Sequence, residues 1–403
     1  MKTLREHERL GGRVFLTGGT GYLGSLLAAQ MLHDGWADAV VMPTRCETAG
    51  EVPENLEREL KALGAAPDAA VGRVRTIHWT GAETASVESL AALLQEARIT
   101  SVVHCAGCLD YFDAQALRAL NVDFTAKLVE ASKQAGVGCF VFVSTAYSAG
   151  YSETVVPESA LSEPARDPTD YTLTKRAAEH VVAKSGLPFL VVRPSIVIGS
   201  SADGRYSGKR YGLYQQWMGV ERLLTDRYHP ELHTVATDQP LNLLHQDVFQ
   251  RSMHATLRWV PDNEFVNLVV ADDVAPSMKD LWRLFCDVTR PQRVNFYGSL
   301  DKVDFKAINV RQRAYLSFAQ TNLEIGAYAW RFERAWLSRL QENGLVFTDT
   351  SMHTLRICQD RFVSTSAAMR RYHERFGDQL PAEIEYCDVD ATPAAVALQA
   401  KAA

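Results

Sequence analysis

The chain has 403 residues, 47% of them hydrophobic and 22% charged, with a net charge of −6. This is the make-up of a globular protein large enough for one big or two smaller domains, and it excludes a polybasic nucleic-acid or membrane-surface binder. No window approaches the 18 uninterrupted apolar residues of a spanning helix. The charged start, Met1 to Arg9, is not that of a signal peptide, and seven scattered cysteines predict a reducing, cytoplasmic setting.

The first apolar run, Val14 to Leu16, predicts a strand, and Leu26 to Leu32 a helix. Between them lies Thr17-Gly18-Gly19-Thr20-Gly21-Tyr22-Leu23-Gly24. Glycines at 18, 21 and 24 in a strand–turn–helix context let backbone approach a pyrophosphate, with the helix N-terminus offering N–H groups to the anion. All eight residues are predicted to bind a dinucleotide. A second strand, Ala39 to Met42, leads to Arg45. Arginine there meets a ribose 2′-phosphate, whereas a carboxylate meets a 2′-hydroxyl. Arg45 therefore predicts NADPH over NAD, although Glu47 lies close by.

Leu56 to Leu63 reads as helix, Val74 to Ile77 as strand, Ser86 to Glu96 as helix and Ser101 to His104 as strand. Cys105-Ala106-Gly107-Cys108 follows. A C-x-x-C raises metal or redox chemistry. No second pair completes a zinc site, so no metal is predicted, and Cys105, Ala106 and Gly107 are read as a cofactor-facing turn. Ala114 to Gln134 is helical. The buried strand Phe140 to Val143 ends in two hydroxyl residues, Ser144 and Thr145, where α/β sheets bind ligands. The helix Tyr171 to Ser185 places Tyr171 and Lys175 one turn apart. A lysine there is expected to lower the phenol's pKa toward working pH.

After a sixth strand, Phe189 to Val192, the rhythm breaks. Strands and helices in alternation, with wholly apolar strands, predict an α/β fold with a doubly wound parallel sheet. Residues 1–200 are assigned to a Rossmann NADP-binding domain, to which 236–272 return through Pro240 to Val248. Residues 201–235 and 273–387 are assigned to a smaller, mainly helical cap or substrate region, with helical patterns at Ser277 to Phe285, Ala327 to Leu340 and Arg361 to Arg375. A flexible tail is expected over 388–403. In the charge-rich loop after Ser200, Arg205, Lys209 and Arg210 are candidates for substrate phosphates, against the plainer reading of a solvated loop. Tyr206, Tyr214 and Trp217 either line a substrate pocket or pack the cap.

The glycine turn, Ser144-Thr145-Ala146-Tyr147, Tyr171 to Lys175 with Glu179 beyond, and Arg193-Pro194-Ser195-Ile196-Val197 resemble the extended short-chain dehydrogenase/reductase superfamily. Within it the resemblance is to fatty acyl-CoA reductases of the male-sterility type and carrier-protein thioester reductases. It covers about residues 10–255 and is thin beyond. It adds Asn121 as the family's helix asparagine, holding a water that links the lysine to solvent, and Pro194 and Ser195 as cofactor contacts. An acidic residue usual after the third strand is missing from His78 to Ala82. The resemblance implies hydride transfer from NADPH to an acyl thioester on coenzyme A or a separate carrier protein. Thr145, with Ser144, would bind the carbonyl oxygen, Tyr171 would give the proton, and Lys175 would anchor the ribose. A homodimer is a further expectation from relatives. Two alternatives stand beside this: a dehydrogenase or epimerase acting on a ketone, alcohol or sugar nucleotide, and a non-catalytic NADP-binding regulator.

Overall fold

The computed structural model describes residues 4–7, 9, 11–44, 52–66, 68–78, 85–111, 113–152 and 154–390. The strands in chain order are β1 Arg13–Thr17, β2 Ala39–Thr44, β3 Val74–His78, β4 Ser101–His104, β5 Cys139–Val143, β6 Phe189–Pro194, β7 Ile196–Ile198, β8 Glu231–Val235, β9 Leu243–His245, β10 Glu264–Leu268, β11 Arg293–Tyr297 and β12 Glu385–Asp388. Seven of them form one parallel sheet in the order β10-β6-β5-β4-β1-β2-β3.

The apolar runs become central strands because both faces of this sheet are covered. Along each strand the side chains alternate between two cores. Val14, Leu16, Val141 and Val143 join Leu26, Leu27 and Met31 of the helix Tyr22–His33 and Phe249 and Met253 of the helix Gln246–Trp259. Phe15, Phe140 and Phe142 face the opposite core, with Leu128 and Val182. Each such side chain contributes about 1.5–3 kcal/mol when fully buried. Strand order reverses between β1 and β4, which opens a crevice at the carboxyl ends of the central strands.

The smaller region has a core of its own, built on Trp217, Leu281, Trp282, Phe285, Leu316 and Phe362. Its helices surround a three-stranded parallel sheet, β12-β11-β8, that the sequence pattern does not announce. Residues Pro240 to Val248, expected to return to the main fold, contain β9, which pairs with β7 in a two-stranded sheet rather than with the main one.

Three C-terminal expectations are corrected. Ala327 to Leu340 is not one helix. The helix Val310–Ala327 ends first, and Val156 draws the next segment into extended pairing, its N–H donating to Arg331 O at 2.8 Å and its carbonyl accepting from Glu333 N at 2.9 Å. A new helix, Ala335–Glu342, follows. Arg361 to Arg375 divides at Ser366, whose hydroxyl accepts from Met369 N and starts the helix Ala367–Phe376. The expected tail begins in β12, where Asp388 pairs with Lys279 at 2.7 Å and Asp390 accepts from Gly298 N. Residues 391–403 lie outside the described residues.

Candidate active site

At the crevice, Thr17 to Gly24 make a tight turn into the helix Tyr22–His33. Gly18 has φ +71, and a Cβ there would meet Ala106 N at 2.7 Å, so the two turns after β1 and β4 touch backbone to backbone. A Cβ at Gly24 would collide with the Gly18 carbonyl oxygen. No side chain caps this helix, so its first N–H groups are left for an anion. Ser195 Oγ, buried at the end of β6, has no hydrogen-bond partner. A backbone cradle, an uncapped helix start and an orphaned hydroxyl at a strand end together fit a dinucleotide. Arg45 and Trp79 to Ala82 lie outside the described residues.

Beneath the turn, His104 is completely buried between two hydroxyls. Its Nδ1 is 2.6 Å from Thr17 Oγ1 and its Nε2 is 2.9 Å from Thr125 Oγ1. Thr125 donates to Asn121 O at 2.7 Å, and Ala106 N donates to Thr17 Oγ1 at 3.2 Å. One tautomer satisfies every link: Nε2 carries the proton and Nδ1 accepts. Burial, then the Lys175 charge, pulls the imidazole down to about 3, so it stays neutral.

Tyr171 and Lys175 lie on the helix Asp170–Ala183, started by a reciprocal cap between Thr169 and Thr172. Lys175 Nζ donates to Val143 O at 2.7 Å and sits 4.0 Å from the centre of the Phe142 ring. Burial lowers its pKa to about 8. The expectation that lysine lowers the tyrosine pKa is corrected. Burial, then the Tyr111 phenol and Cys105 thiol, pushes Tyr171 upward. Desolvation of a phenolate outweighs an ammonium already turned to a carbonyl. The Tyr171 ring lies 5.7 Å from that of Tyr111.

Of the two hydroxyls after β5, Ser144 Oγ donates to Glu179 Oε1, which also accepts from Ser148 Oγ at 2.8 Å. Glu179 is paired with Arg193 at 2.7 Å, both buried, and Arg193 also donates to Pro157 O and Ser159 O. Ser144 therefore belongs to a buried ion-pair network, not to the open crevice. Thr145 Oγ1 accepts only a long bond, 3.4 Å, from Tyr147 N. Asn121, in the π-helical turn Ala119–Asp123, accepts from Cys108 N at 2.8 Å and donates to Thr174 Oγ1 at 3.1 Å. Its amide ties the turn after β4 to the tyrosine helix. Burial raises the Cys105 thiol to about 11, which makes it an inert lining group.

The loop cations are largely engaged. Arg205 donates to both oxygens of buried Glu59 at 2.9 Å, and Arg210 pairs with Glu221 at 2.8 Å. Lys209 is exposed and has no carboxylate partner among the described residues. Tyr206 stacks on Tyr214 at 3.7 Å and meets Tyr22 edge-on at 4.8 Å, so the loop lies against the glycine turn. Tyr214 and Trp217 are buried in the cap core, which is the packing alternative. On the other side, Tyr147 and Tyr151 pack against Trp330 at 5.0 and 5.7 Å.

The profile of the male sterility protein family matches residues 16–253, well over half of the chain. The chain belongs to that family. It is thus an extended short-chain dehydrogenase/reductase, a member of an NAD(P)-binding oxidoreductase family. Its fold is similar to the terminal R domain from the myxalamid PKS-NRPS pathway, with a TM-score of 0.68, 18% identity, and 90% and 92% of the two chains covered. A thiolation-reductase di-domain from an archaeal non-ribosomal peptide synthetase gives a TM-score of 0.63 at 15% identity, covering 90% of this chain and 92% of that one. By sequence, nonribosomal peptide synthetase inpA of Emericella nidulans is 28% identical over 219 residues, which cover 49% of this chain and 14% of that protein. UDP-glucose 4-epimerase of Klebsiella pneumoniae is 29% identical over 144 residues, 33% of this chain and 89% of that protein. The match thus spans about a seventh of the synthetase.

Three residues of this male-sterility-family site take roles that the sequence reading does not assign them, although Glu179 is read there as part of the family motif. His104 ends an apolar strand, Glu179 lies one turn beyond Lys175, and Glu59 faces Arg205. For His104 the signal is an imidazole at the end of an apolar run, since such groups are buried only when partnered; Glu59 and Glu179 lie in mixed helices and carry no such local signal. Among the described residues no helix is long and apolar enough to cross a membrane.

Proposed function

We propose that the protein is an NADPH-dependent reductase converting an acyl thioester, on coenzyme A or a separate carrier protein, to an aldehyde and in a second round to an alcohol. The observation that carries this reading is Tyr171. Burial keeps its phenol protonated, one helical turn from Lys175, whose ammonium sits against the Val143 carbonyl at the end of β5. Reduction needs an acid at that position, and a phenol held neutral is one.

The bound cofactor supplies a hydride. Thr145 donates to the carbonyl oxygen, and Tyr171 delivers its proton there as negative charge grows. Lys175 holds positive charge at the end of β5 and orients the ribose. Ser144 and Asn121 support Thr145 and the cofactor turn through their own hydrogen bonds. Hydride and proton add to the carbonyl, the carbon–sulfur bond breaks, and an aldehyde and a thiol leave with NADP⁺. The synthetase among the relatives supports a carrier-borne thioester. The epimerase relative supports a second reading, a nucleotide sugar with NAD, and a domain division near residue 200 accompanies either.

NADPH oxidation against acyl-CoA and acyl-pantetheine esters, with thiol release followed in parallel, tests this. One thiol per NADPH in the first round is expected. Turnover of UDP-glucose with no thioester activity would overturn it.

A further inference from the structure

In the cap, the helix Ala367–Phe376 packs against the π-helical turn Val220–Leu224 and leaves a cavity of about 360 Å³. Its walls carry three guanidiniums, Arg222 from the turn and Arg371 and Arg375 from the helix, beside the rings of Tyr372 and Phe376. Arg371 and Arg375 are one turn apart on one helix face, where like charges repel.

None of the three is ion-paired among the described residues. Glu221 and Asp226 also line the cavity, but both are engaged elsewhere. Glu221 pairs with Arg210 at 2.8 Å and accepts from Ser366 Oγ. Asp226 pairs with Arg311 at 3.1 Å and Arg227 at 3.6 Å, with His229 also at 3.6 Å. Among the described residues, none of Arg222, Arg371 and Arg375 has a carboxylate within 4.0 Å, and Arg375 lies 5.0 Å from the Phe376 ring centre. Three unpaired guanidiniums around a concave, ring-walled cavity, in a chain of net charge −6, suit phosphate. Each planar fork can pair two phosphate oxygens at once, and the half-buried Phe376 ring gives apolar surface to a base.

The position suits the arm of a thioester. The helix Leu213–Gly219 runs directly into the turn bearing Arg222. Tyr214 on that helix reaches the glycine turn through Tyr206 and Tyr22. Eight residues of helix, the last three in the π-helical turn, put Arg222 on the order of 10 Å from Tyr214.

Resting on the thioester reading above, we propose that this cavity binds the phosphate end of the pantetheine arm, with the phosphates and base of coenzyme A as its full occupant. The cations that read the substrate are then Arg222, Arg371 and Arg375, in place of the engaged Arg205 and Arg210.

The test compares KM for one acyl group on coenzyme A, on 4′-phosphopantetheine and on pantetheine, at saturating NADPH. The wild type is expected to favour the coenzyme A ester over the pantetheine ester by about tenfold or more. A phosphopantetheine ester matching coenzyme A assigns recognition to the phosphate shared with carrier proteins; an intermediate value assigns the rest to the nucleotide. In Arg371→Gln/Arg375→Gln the preference should collapse, with turnover of the pantetheine ester, NADPH KM and melting temperature unchanged. Equal KM for all three esters in the wild type, or a preference that survives the double substitution, overturns the proposal. Should no thioester be reduced, the functional reading fails by itself. Calorimetry of coenzyme A with the NADP⁺-saturated protein then decides the cavity: binding lost in the double variant upholds it, and absent or unaltered binding overturns it.

Discussion

The main sheet and the cap approach the same crevice, but the polar groups under the cofactor turn are buried differently from the indoles at the centre of the cap. Under the cofactor turn, His104, Thr17 and Thr125 form a chain with every donor answered, and Glu179 gathers Ser144, Ser148 and Arg193. In the cap, the indole N–H groups of Trp217 and Trp282 are buried with no hydrogen-bond partner, and stacked rings fill the space. A satisfied network in a low dielectric permits one arrangement, while ring packing tolerates repacking. The contrast places geometric precision on the sheet side and adaptable volume on the cap side.

The largest test of that contrast is Tyr171→Phe. It should lower kcat by about 10²–10⁴ and leave NADPH affinity, measured by fluorescence titration, within about twofold. A variant with full activity would sink the mechanism. Glu179→Ala strands Arg193 as a fully buried charge and should cost about 3–5 kcal/mol in urea unfolding. A loss below about 1 kcal/mol would mean that the network is ornamental.

Lys175→Met probes the same side through pH. Burial lowers the folded lysine to about 8 against 10.5 in the unfolded chain. Between those values the unfolded chain binds the extra proton, so this lysine's contribution rises with pH across the window and is flat below it. Wild type should therefore gain on the methionine variant by about 3 kcal/mol from pH 8 to 10.5. A constant difference between the two would refute the assignment.

His104→Phe leaves the Thr17 hydroxyl without its acceptor and should cost about 1–3 kcal/mol, with NADPH affinity weakened more than kcat. His104→Asn should recover part of that affinity. Smallest of all, Trp217→Phe gives up no hydrogen bond and should cost about 1 kcal/mol through lost packing. If it proved as damaging as His104→Phe, the contrast between the two sides would fall.

The sequence made the sheet side legible because each of its signals is local. Val14 to Leu16, Phe140 to Val143 and Phe189 to Val192 are continuous apolar runs, and the glycine turn is short enough to read as one unit. Only β10 completes the sheet from a distance, and it lies within the stretch expected to return. The cap was harder. β8, β11 and β12 are short, and more than 50 residues separate each from the next; nothing in Glu385-Tyr386-Cys387-Asp388 says that it pairs with Arg293 to Phe296. In the site, Tyr171 and Lys175 were legible as a pair, but the direction of the tyrosine pKa was not, because it depends on how much water the surrounding fold removes.

The sequence by itself determined the doubly wound sheet, the glycine cradle, the family and the residue types at the crevice, since strand periodicity and backbone turns are properties of neighbouring residues. Tertiary structure alone decided which groups are engaged. It gave Ser144 to Glu179, Arg205 to Glu59 and Arg210 to Glu221, and left Arg222, Arg371 and Arg375 unpaired. Charge partnership joins residues up to 253 positions apart, as in Arg9 with Asp262, and a contact made across that distance exists only once the chain has folded.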